Sequence, residues 1–308
     1  MLLVYLALTL MVLIWSFSFV VVDIAVEFVP PLSIAFYRFI IASLSFLILD
    51  IYYKVTKRGK IHQNESDLNQ NEITKNGWLL MILASFTGVS FFFLAQYTAI
   101  EIIGPSLPAL FVCLITPVLI TILALFFFKE KLNKLKMIGF AIATIGGFLL
   151  VTGGNFNTLT PNSPNFLGYL FALLTPLLWA VYSTVTKKIS KTSSSIVMNK
   201  YIAYFGTLEL FFFVLVNGEI LIFFENFLNI SLLISALYLG LGCYVLGYYI
   251  WQNSQKNLKS SKVASFLYIE PFLTLVFSFL LRRSEIIVLW NIIGGIIVLI
   301  AVLIINYK

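Results

Sequence analysis

Two ionisable side chains stand in otherwise uncharged surroundings and are the first candidates for chemistry. Arg38 lies in the run "IAFYRFIIASLSFLI", and Glu270 lies in "YIEPF", directly before Pro271. A guanidinium binds anionic groups through a planar set of donors. A carboxyl beside a proline, which removes a backbone donor and loosens the preceding turn, is a candidate proton or cation site. The alternatives are that Arg38 snorkels to a membrane interface and that Glu270 pairs with Lys262 or another lysine.

Aromatic and amide side chains form a second group of candidates. Tyr244, Tyr248 and Trp251 recur at i, i+4 and i+7, which places them on one helical face. Gln96 and Tyr97 belong to a similar face in an earlier segment. We interpret both faces as walls of a cavity. An aromatic belt at the lipid interface is the alternative, and it accounts for Trp251 better than for the others.

Residue types that metal and nucleophilic chemistry require are scarce. The single histidine, His62, lies in a polar segment, and Cys113 and Cys243 lie in apolar runs without metal-site or disulfide spacing. We therefore expect neither a metal nor a cofactor, and we interpret both cysteines as inert core residues. An integral-membrane lipid enzyme would need His, Asp or Glu clustered at one membrane face, so we expect a protein that is not an enzyme.

Composition indicates the solvent in which these residues lie. Of the 308 residues, 60% are hydrophobic and 11% are charged, whereas soluble domains carry roughly 25% charged residues. This composition is typical of a polytopic membrane protein. A membrane-spanning helix needs about 20 apolar residues. Ten such runs occur, at 2–22, 32–52, 77–99, 105–127, 135–153, 166–186, 196–217, 230–252, 262–281 and 287–305.

The distribution of basic residues predicts the orientation of these runs. With the N-terminus inside, the inner loops and the C-terminus hold 17 of the 20 Lys and Arg residues, and the outer loops hold only Arg282 and Arg283. Such an excess is the signature of cytoplasmic loops. We expect a multi-pass protein of the plasma membrane with both termini cytoplasmic. The net charge of +7 then reflects topology, and no nucleic-acid partner is expected.

The second half of the chain repeats the first weakly. Residues 13–37 align with 177–201 at an offset of 164, which pairs Trp15 with Trp179, and a later stretch repeats at an offset of 154. Each half would hold five spans, and an odd number inverts the second half relative to the first. Inverted repeats are a device of transporters, whose site lies between the halves. Both tryptophans therefore join the candidate cavity wall.

Several motifs resemble the EamA-like branch of the drug/metabolite transporter superfamily. They are "LIWSFSFVV", "YRFIIA", "LPALFVCLITPVLITILALFFFKEKL" and "IGFAIATIGGFLLV" in the first half, and "LLWAVYSTV", "YLGLGCYVLGYYIW" and "SFLYIEPFLTLVFSFLLRRSEII" in the second. A proline followed at some distance by a glutamate occurs in both halves, as Pro117 with Glu130 and as Pro271 with Glu285. The second copy departs from the first by one insertion and by the pair Arg282-Arg283. The resemblance covers essentially the whole chain and implies export of amino acids, related metabolites or amphiphilic drugs.

The sequence therefore predicts an all-α integral membrane protein with ten transmembrane helices in two inverted five-helix repeats, 1–153 and 166–308, around a central cavity. The predicted function is alternating-access transport, with export favoured, of small organic metabolites such as amino acids. Protons are the candidate coupling ion, and the state is a monomer or homodimer. The alternative is a transporter or flippase for phosphate-bearing sugar or lipid-linked substrates, which should need several cavity cations. The predicted substrate-binding residues are Trp15, Arg38, Gln96, Tyr97, Trp179, Tyr244, Tyr248, Trp251 and Glu270.

Overall fold

A computed structural model describes residues 2–57, 75–130, 133–152, 166–283 and 288–306. This part of the chain is helical and contains no strand. The α-helices are α1 (Leu2–Ala25), α2 (Pro31–Lys57), α3 (Lys75–Ser85), α4 (Phe91–Ile103), α5 (Ser106–Phe128), α6 (Lys134–Thr152), α7 (Phe166–Ile189), α8 (Ser195–Val216), α9 (Ile220–Asn226), α10 (Ile230–Leu237), α11 (Tyr249–Asn257), α12 (Ser260–Ala264), α13 (Glu270–Leu280) and α14 (Leu289–Asn306).

Several of these helices join end to end into longer spans. Eight helical spans within the described ranges are long and apolar enough to cross a membrane. They are Leu3–Ala25, Pro31–Tyr52, Asn76–Ile103, Ser106–Phe128, Phe166–Ile189, Ser195–Val216, Ile230–Asn257 and Ser260–Leu280. Within α14, a shorter apolar helix covers Ile292–Ile305, and α6 has 19 residues. The chain is a multi-pass membrane protein, and the count of ten spans stays a prediction.

The outer surface of the helices is apolar. Large hydrophobic side chains stand exposed along it, among them Leu3, Leu170 and Val216, the last of which is 81% exposed. Water would not tolerate so much apolar surface on a monomeric protein. Lipid acyl chains solvate it without penalty, while each helix satisfies its own backbone hydrogen bonds.

The packing of the spans follows a recurring scheme. α1 packs on α13 and α7 packs on α5, while α2 packs on α8 and α6 packs on α14. Gly139 of α6 lies against the side chain of Ile305 in α14, so the small residue permits a close approach of the two helices. The centre of the molecule is one large cluster of buried apolar side chains that draws on most of the spans.

Three irregular segments interrupt the α-helical geometry near this centre. Phe86–Ser90 and Tyr238–Tyr248 are π-helical, and Ser265–Ile269 is a 3₁₀-helix that ends at Glu270. The 3₁₀ segment agrees with the loosened turn expected before Pro271. π-Helical turns are rare and are frequent at functional sites, and apolar periodicity gave no sign of either one.

Candidate functional site

A cavity lies at the meeting point of the spans. Its walls come from α1, α2, α4, α5, α7 and α13 and from the π-helical and 3₁₀-helical segments of the second half. Apolar and aromatic walls with a few placed polar groups are typical of a site for a small organic molecule. The wall is mostly aromatic and aliphatic, with few polar groups.

Arg38 is fully within this wall. Its side chain is buried, with 2% of its surface exposed, and its guanidinium carbon lies 4.2 Å from the centre of the Phe93 ring. One terminal nitrogen donates a hydrogen bond to the hydroxyl of Tyr97. The Nε atom has no acceptor, and no carboxylate within the described ranges forms an ion pair with Arg38. Arg38 thus does not snorkel to an interface, and its charge faces the cavity without a counter-ion.

Glu270 lies in the same wall and is similarly buried, with 3% of its surface exposed. Its Oε2 atom accepts a hydrogen bond from the thiol of Cys113 at 3.2 Å. Its Oε1 atom has no partner in the part of the chain that the structure describes. The expected alternative, an ion pair with Lys262, is absent among these residues. The cavity therefore holds one guanidinium and one carboxyl, each with a hydrogen-bonding atom unused.

Aromatic side chains fix the shape of the cavity between these groups. The indoles of Trp15 and Trp179 meet edge to face with their centroids 5.4 Å apart, and the ring of Tyr248 contacts both. The Trp15 indole nitrogen donates to the backbone oxygen of Cys243 at 3.0 Å. Gly247 leaves room for that indole, because a Cβ atom there would collide with it. The aromatic wall is thus held by both ring contacts and hydrogen bonds.

The structure brings six of the nine predicted residues to the cavity surface: Trp15, Arg38, Gln96, Trp179, Tyr248 and Glu270. The other three lie directly behind it. Tyr97 accepts the hydrogen bond from Arg38, Tyr244 packs its ring 4.4 Å from that of Tyr248, and the ring of Trp251 contacts that of Trp15. These three support the wall, and a direct contact of any of the nine with a substrate stays a prediction.

Both cysteines have a place that sequence reasoning missed. Cys113 and Cys243 line the cavity, although their apolar neighbours indicated inert core positions. A signal for Cys113 was present, since it lies one helical turn before Thr116, the residue that the repeat alignment pairs with Glu270. A cavity-lining cysteine in an apolar run is hard to recognise from sequence, because only a few side chains of such a helix face the cavity and the rest are apolar.

Glu209 is a membrane-embedded carboxyl outside the cavity. It accepts hydrogen bonds from the hydroxyls of Ser85 and Ser90, each at 2.6 Å. Ser85 precedes the π-helical segment Phe86–Ser90 and Ser90 is its last residue, so Glu209 of α8 fixes the contact between two spans. The sequence positions of Glu130 and Glu285 at helix ends indicate structural caps or loop salt bridges. Glu130 forms an ion pair with Lys187, and Glu285 lies outside the described residues.

A helical membrane protein with a central aromatic cavity that holds one cation and one carboxyl has the architecture of a small-molecule carrier. The sequence profile of the EamA-like transporter family matches residues 2–152 and 166–307. The chain belongs to the EamA-like transporter family.

Curated relatives agree with this assignment, and a solved structure shares the fold. An uncharacterized transporter of Archaeoglobus fulgidus is 26% identical over 277 residues, covering 89% of this chain and 88% of the relative. The uncharacterized transporter YyaM of Bacillus subtilis is 24% identical over 280 residues, covering 90% and 85%. A crystal structure of a protein 16% identical in sequence superposes with a TM-score of 0.68 over 98% of this chain and 96% of that one, so the two share a fold.

Proposed function

We propose that the protein is a secondary transporter, and specifically an exporter, of small organic metabolites such as amino acids or related compounds. Substrate passes through the central cavity by alternating access. One observation carries this proposal: Arg38 and Glu270 line the same cavity, and neither has an ionic partner within the described ranges. A buried charge without a partner is costly, so a ligand that supplies the missing counter-charges would be bound strongly.

The chemistry of the wall favours a zwitterion with an apolar side chain. A ligand carboxylate can accept from the guanidinium of Arg38, including its unused Nε donor, and a ligand ammonium can donate to the unused oxygen of Glu270. The faces of Trp15 and Trp179 suit an apolar or aromatic group. A phosphate-bearing sugar or lipid-linked substrate would demand several cations, and Arg38 is the single cation of the wall within the described residues.

Glu270 also offers a route to proton coupling. Its carboxyl can hold either a proton or the ammonium group of a substrate, but not both at the same oxygen. Exchange of one for the other links outward movement of substrate to inward movement of protons. Protons are thus the coupling ion that we propose.

The packing scheme supports two inverted repeats, 1–153 and 166–308, each with five spans. In that scheme α7 is the counterpart of α1 and α5 is the counterpart of α13, so the α1–α13 contact and the α7–α5 contact are equivalent. The distribution of basic residues supports cytoplasmic termini in a plasma-membrane protein, present as a monomer or homodimer. A cysteine at Asn64, outside the described residues, tests the orientation in a variant without native cysteines. We expect labelling from the cytoplasmic side, and labelling from outside would reverse the topology.

A ligand screen followed by a flux assay tests the function. Purified protein is screened by thermal shift against amino acids, their decarboxylated amines, polyamines, nucleobases and sugar phosphates, and the best ligand is then assayed for counterflow in proteoliposomes. The proposal predicts stabilisation and counterflow by amino acids, with Arg38→Ala inactive in both assays. Stabilisation by sugar phosphates with none by amino acids would favour the alternative class of substrate instead.

A further inference from the structure

Two ion pairs lie at opposite ends of the span Ser260–Leu280. At its beginning, Glu130 accepts from the Nζ atom of Lys187 at 2.7 Å and from the backbone N–H of Ser260 at 3.1 Å. Just beyond its other end, Arg283 pairs with Asp23 and Glu27. A helix rises 1.5 Å per residue, which separates the two pairs by roughly 35 Å, about the thickness of a membrane core.

Each ion pair joins the turn after one span to the end of a neighbouring helix. Glu130 and Arg283 both come directly after a left-handed residue that ends a span, Lys129 with φ 52° and Arg282 with φ 55°. These are the two non-glycine residues with positive φ within the described ranges. Their partners stand near the ends of α7 and α1, and Lys187 follows Asp23 by the 164 residues of the repeat offset. Lys187 and Asp23 are therefore equivalent positions in the repeat alignment, whereas Glu130 and Arg283 share their place directly after a left-handed residue.

The two pairs differ in the direction of charge. On one face the turn carries the anion, Glu130, and the neighbouring span carries the cation, Lys187. On the other face the turn carries the cation, Arg283, and the span carries the anion, Asp23. The charges are therefore reversed between the two faces, and each turn carries the charge opposite to that of the span it contacts.

In each ion pair, one partner lies in the same helix as a tryptophan of the cavity wall. Trp15 precedes Asp23 by eight residues in α1, and Trp179 precedes Lys187 by eight residues in α7. About 12 Å of helix therefore separates each cavity tryptophan from its ion pair. A tilt of either helix moves the indole and the charged side chain together.

We propose that Glu130 with Lys187 and Arg283 with Asp23 are the two gates of the transport cycle, one at each membrane face. This inference rests on the transport function proposed above. Each gate holds a span that carries a cavity tryptophan against the turn at the end of a neighbouring span that also lines the cavity. Opening one face breaks its ion pair and keeps the other, so that the cavity never opens to both sides at once.

Access to the cavity from each side tests the gates without any substrate. The reporter is Cys113, which lines the cavity, in a Cys243→Ala background, and the probe is a membrane-impermeant maleimide applied to right-side-out or inside-out vesicles. Glu130→Gln should raise the labelling rate about fivefold from its own face and lower it from the other, because a partly exposed ion pair biases an equilibrium by about this factor. Arg283→Gln should do the reverse.

Matched controls separate gating from loss of stability. Asp50→Asn removes another ion pair between spans, that of Asp50 with Lys200, and should leave both labelling rates unchanged. The exchange Glu130→Lys with Lys187→Glu should restore the rates largely, because it re-forms the ion pair and loses only the hydrogen bond from the backbone of Ser260. If Glu130→Gln does not fold, Lys187→Gln reads the same gate, and Gln96→Cys gives a second reporter in the same cavity wall.

The proposal of two gates would be overturned if a variant changed the Cys113 labelling rate equally from both faces, or if neither variant changed it. Since labelling needs no ligand, such a result would leave the transport proposal untouched. Conversely, failure of every substrate in the flux assay would leave the labelling result valid as a statement about access to the cavity.

Discussion

The thiol of Cys113 donates a hydrogen bond to the carboxyl of Glu270 across 3.2 Å, and both side chains face the same cavity. Cys113 belongs to α5 and Glu270 begins α13, so the bond links two spans that we propose as counterparts in the two repeats. It also places a chemically addressable thiol beside the carboxyl that we propose for coupling.

This contact predicts that a substrate protects Cys113 from alkylation. In a Cys243→Ala variant, N-ethylmaleimide should block transport, and saturating substrate should slow alkylation because it fills the space that the reagent must enter. Mass spectrometry of the modified protein measures the rate. Cys113→Ser, which keeps a donor for Glu270, should transport and resist the reagent. Alkylation that proceeds at the same rate with and without substrate would place the binding site elsewhere.

Arg38 should be required for binding rather than for folding. Arg38→Ala should weaken substrate binding at least about 100-fold, since removal of one partner from a buried ion pair costs about 3–5 kcal/mol. Arg38→Lys should retain part of the affinity, because it keeps the charge and loses the planar arrangement of donors. Equilibrium binding to purified protein, with thermal stability as the control, measures both. Normal transport by a stable Arg38→Ala variant would leave Arg38 with a structural role only.

Glu270→Gln should separate binding from coupling. The amide oxygen still accepts from an ammonium group, so substrate binding should fall by no more than about tenfold. The side chain cannot ionise, so the pH dependence of transport should disappear and accumulation against a gradient should be lost, while exchange survives. Flux in proteoliposomes at several pH values measures this. An unchanged pH profile would identify the protein as a facilitator in which Glu270 is structural.

The ion pair of Glu130 and Lys187 predicts a pH dependence of stability. Burial alone would raise the pKa of Glu130, but hydrogen bonds from Lys187 and from the backbone of Ser260 outweigh it and hold this pKa below its usual range. The folded pKa is thus below that of the unfolded chain, about 4.3. The stabilisation is therefore present above that value and is lost as the pH falls through the folded pKa.

In a thermal melt, the wild type should lose stability as the pH falls below about 4. The contribution of the pair is no more than about 1 kcal/mol, because both side chains are partly exposed. Glu130→Gln should be less stable at neutral pH and should lose less on acidification. Parallel acid profiles of the wild type and the variant would show that the pair contributes nothing to stability.

Much of the fold could be predicted from the sequence because a membrane imposes long apolar runs. The pair Glu270-Pro271 also predicted the loosened turn before it, which is the 3₁₀ segment Ser265–Ile269. The π-helical segments Phe86–Ser90 and Tyr238–Tyr248 could not be foreseen, since neither contains a charged residue and so neither shows a clear polar face whose shift would mark a wider turn. Glycines in them, such as Gly88, are equally compatible with ordinary helix packing.

The candidate site could be predicted where a residue was chemically out of place. Arg38 and Glu270 stood out because charge is rare in apolar runs. Helical periodicity identified the face of Tyr248 but not its depth, so Tyr244 and Trp251 were expected on the cavity surface and lie behind it. Cys113 was missed because a thiol in an apolar run looks like core, and only its partner across the molecule gives it a polar role.

The central claim is that the carboxylate of a small zwitterion binds Arg38 in the cavity. The most direct measurement is a double cycle of binding affinities. The amino acid with the largest thermal shift and the amine that lacks its carboxylate are each titrated into wild-type protein and into Arg38→Ala. The account predicts that removal of the carboxylate weakens binding at least about 100-fold in the wild type and only slightly in the variant. An equal loss in both proteins would contradict it.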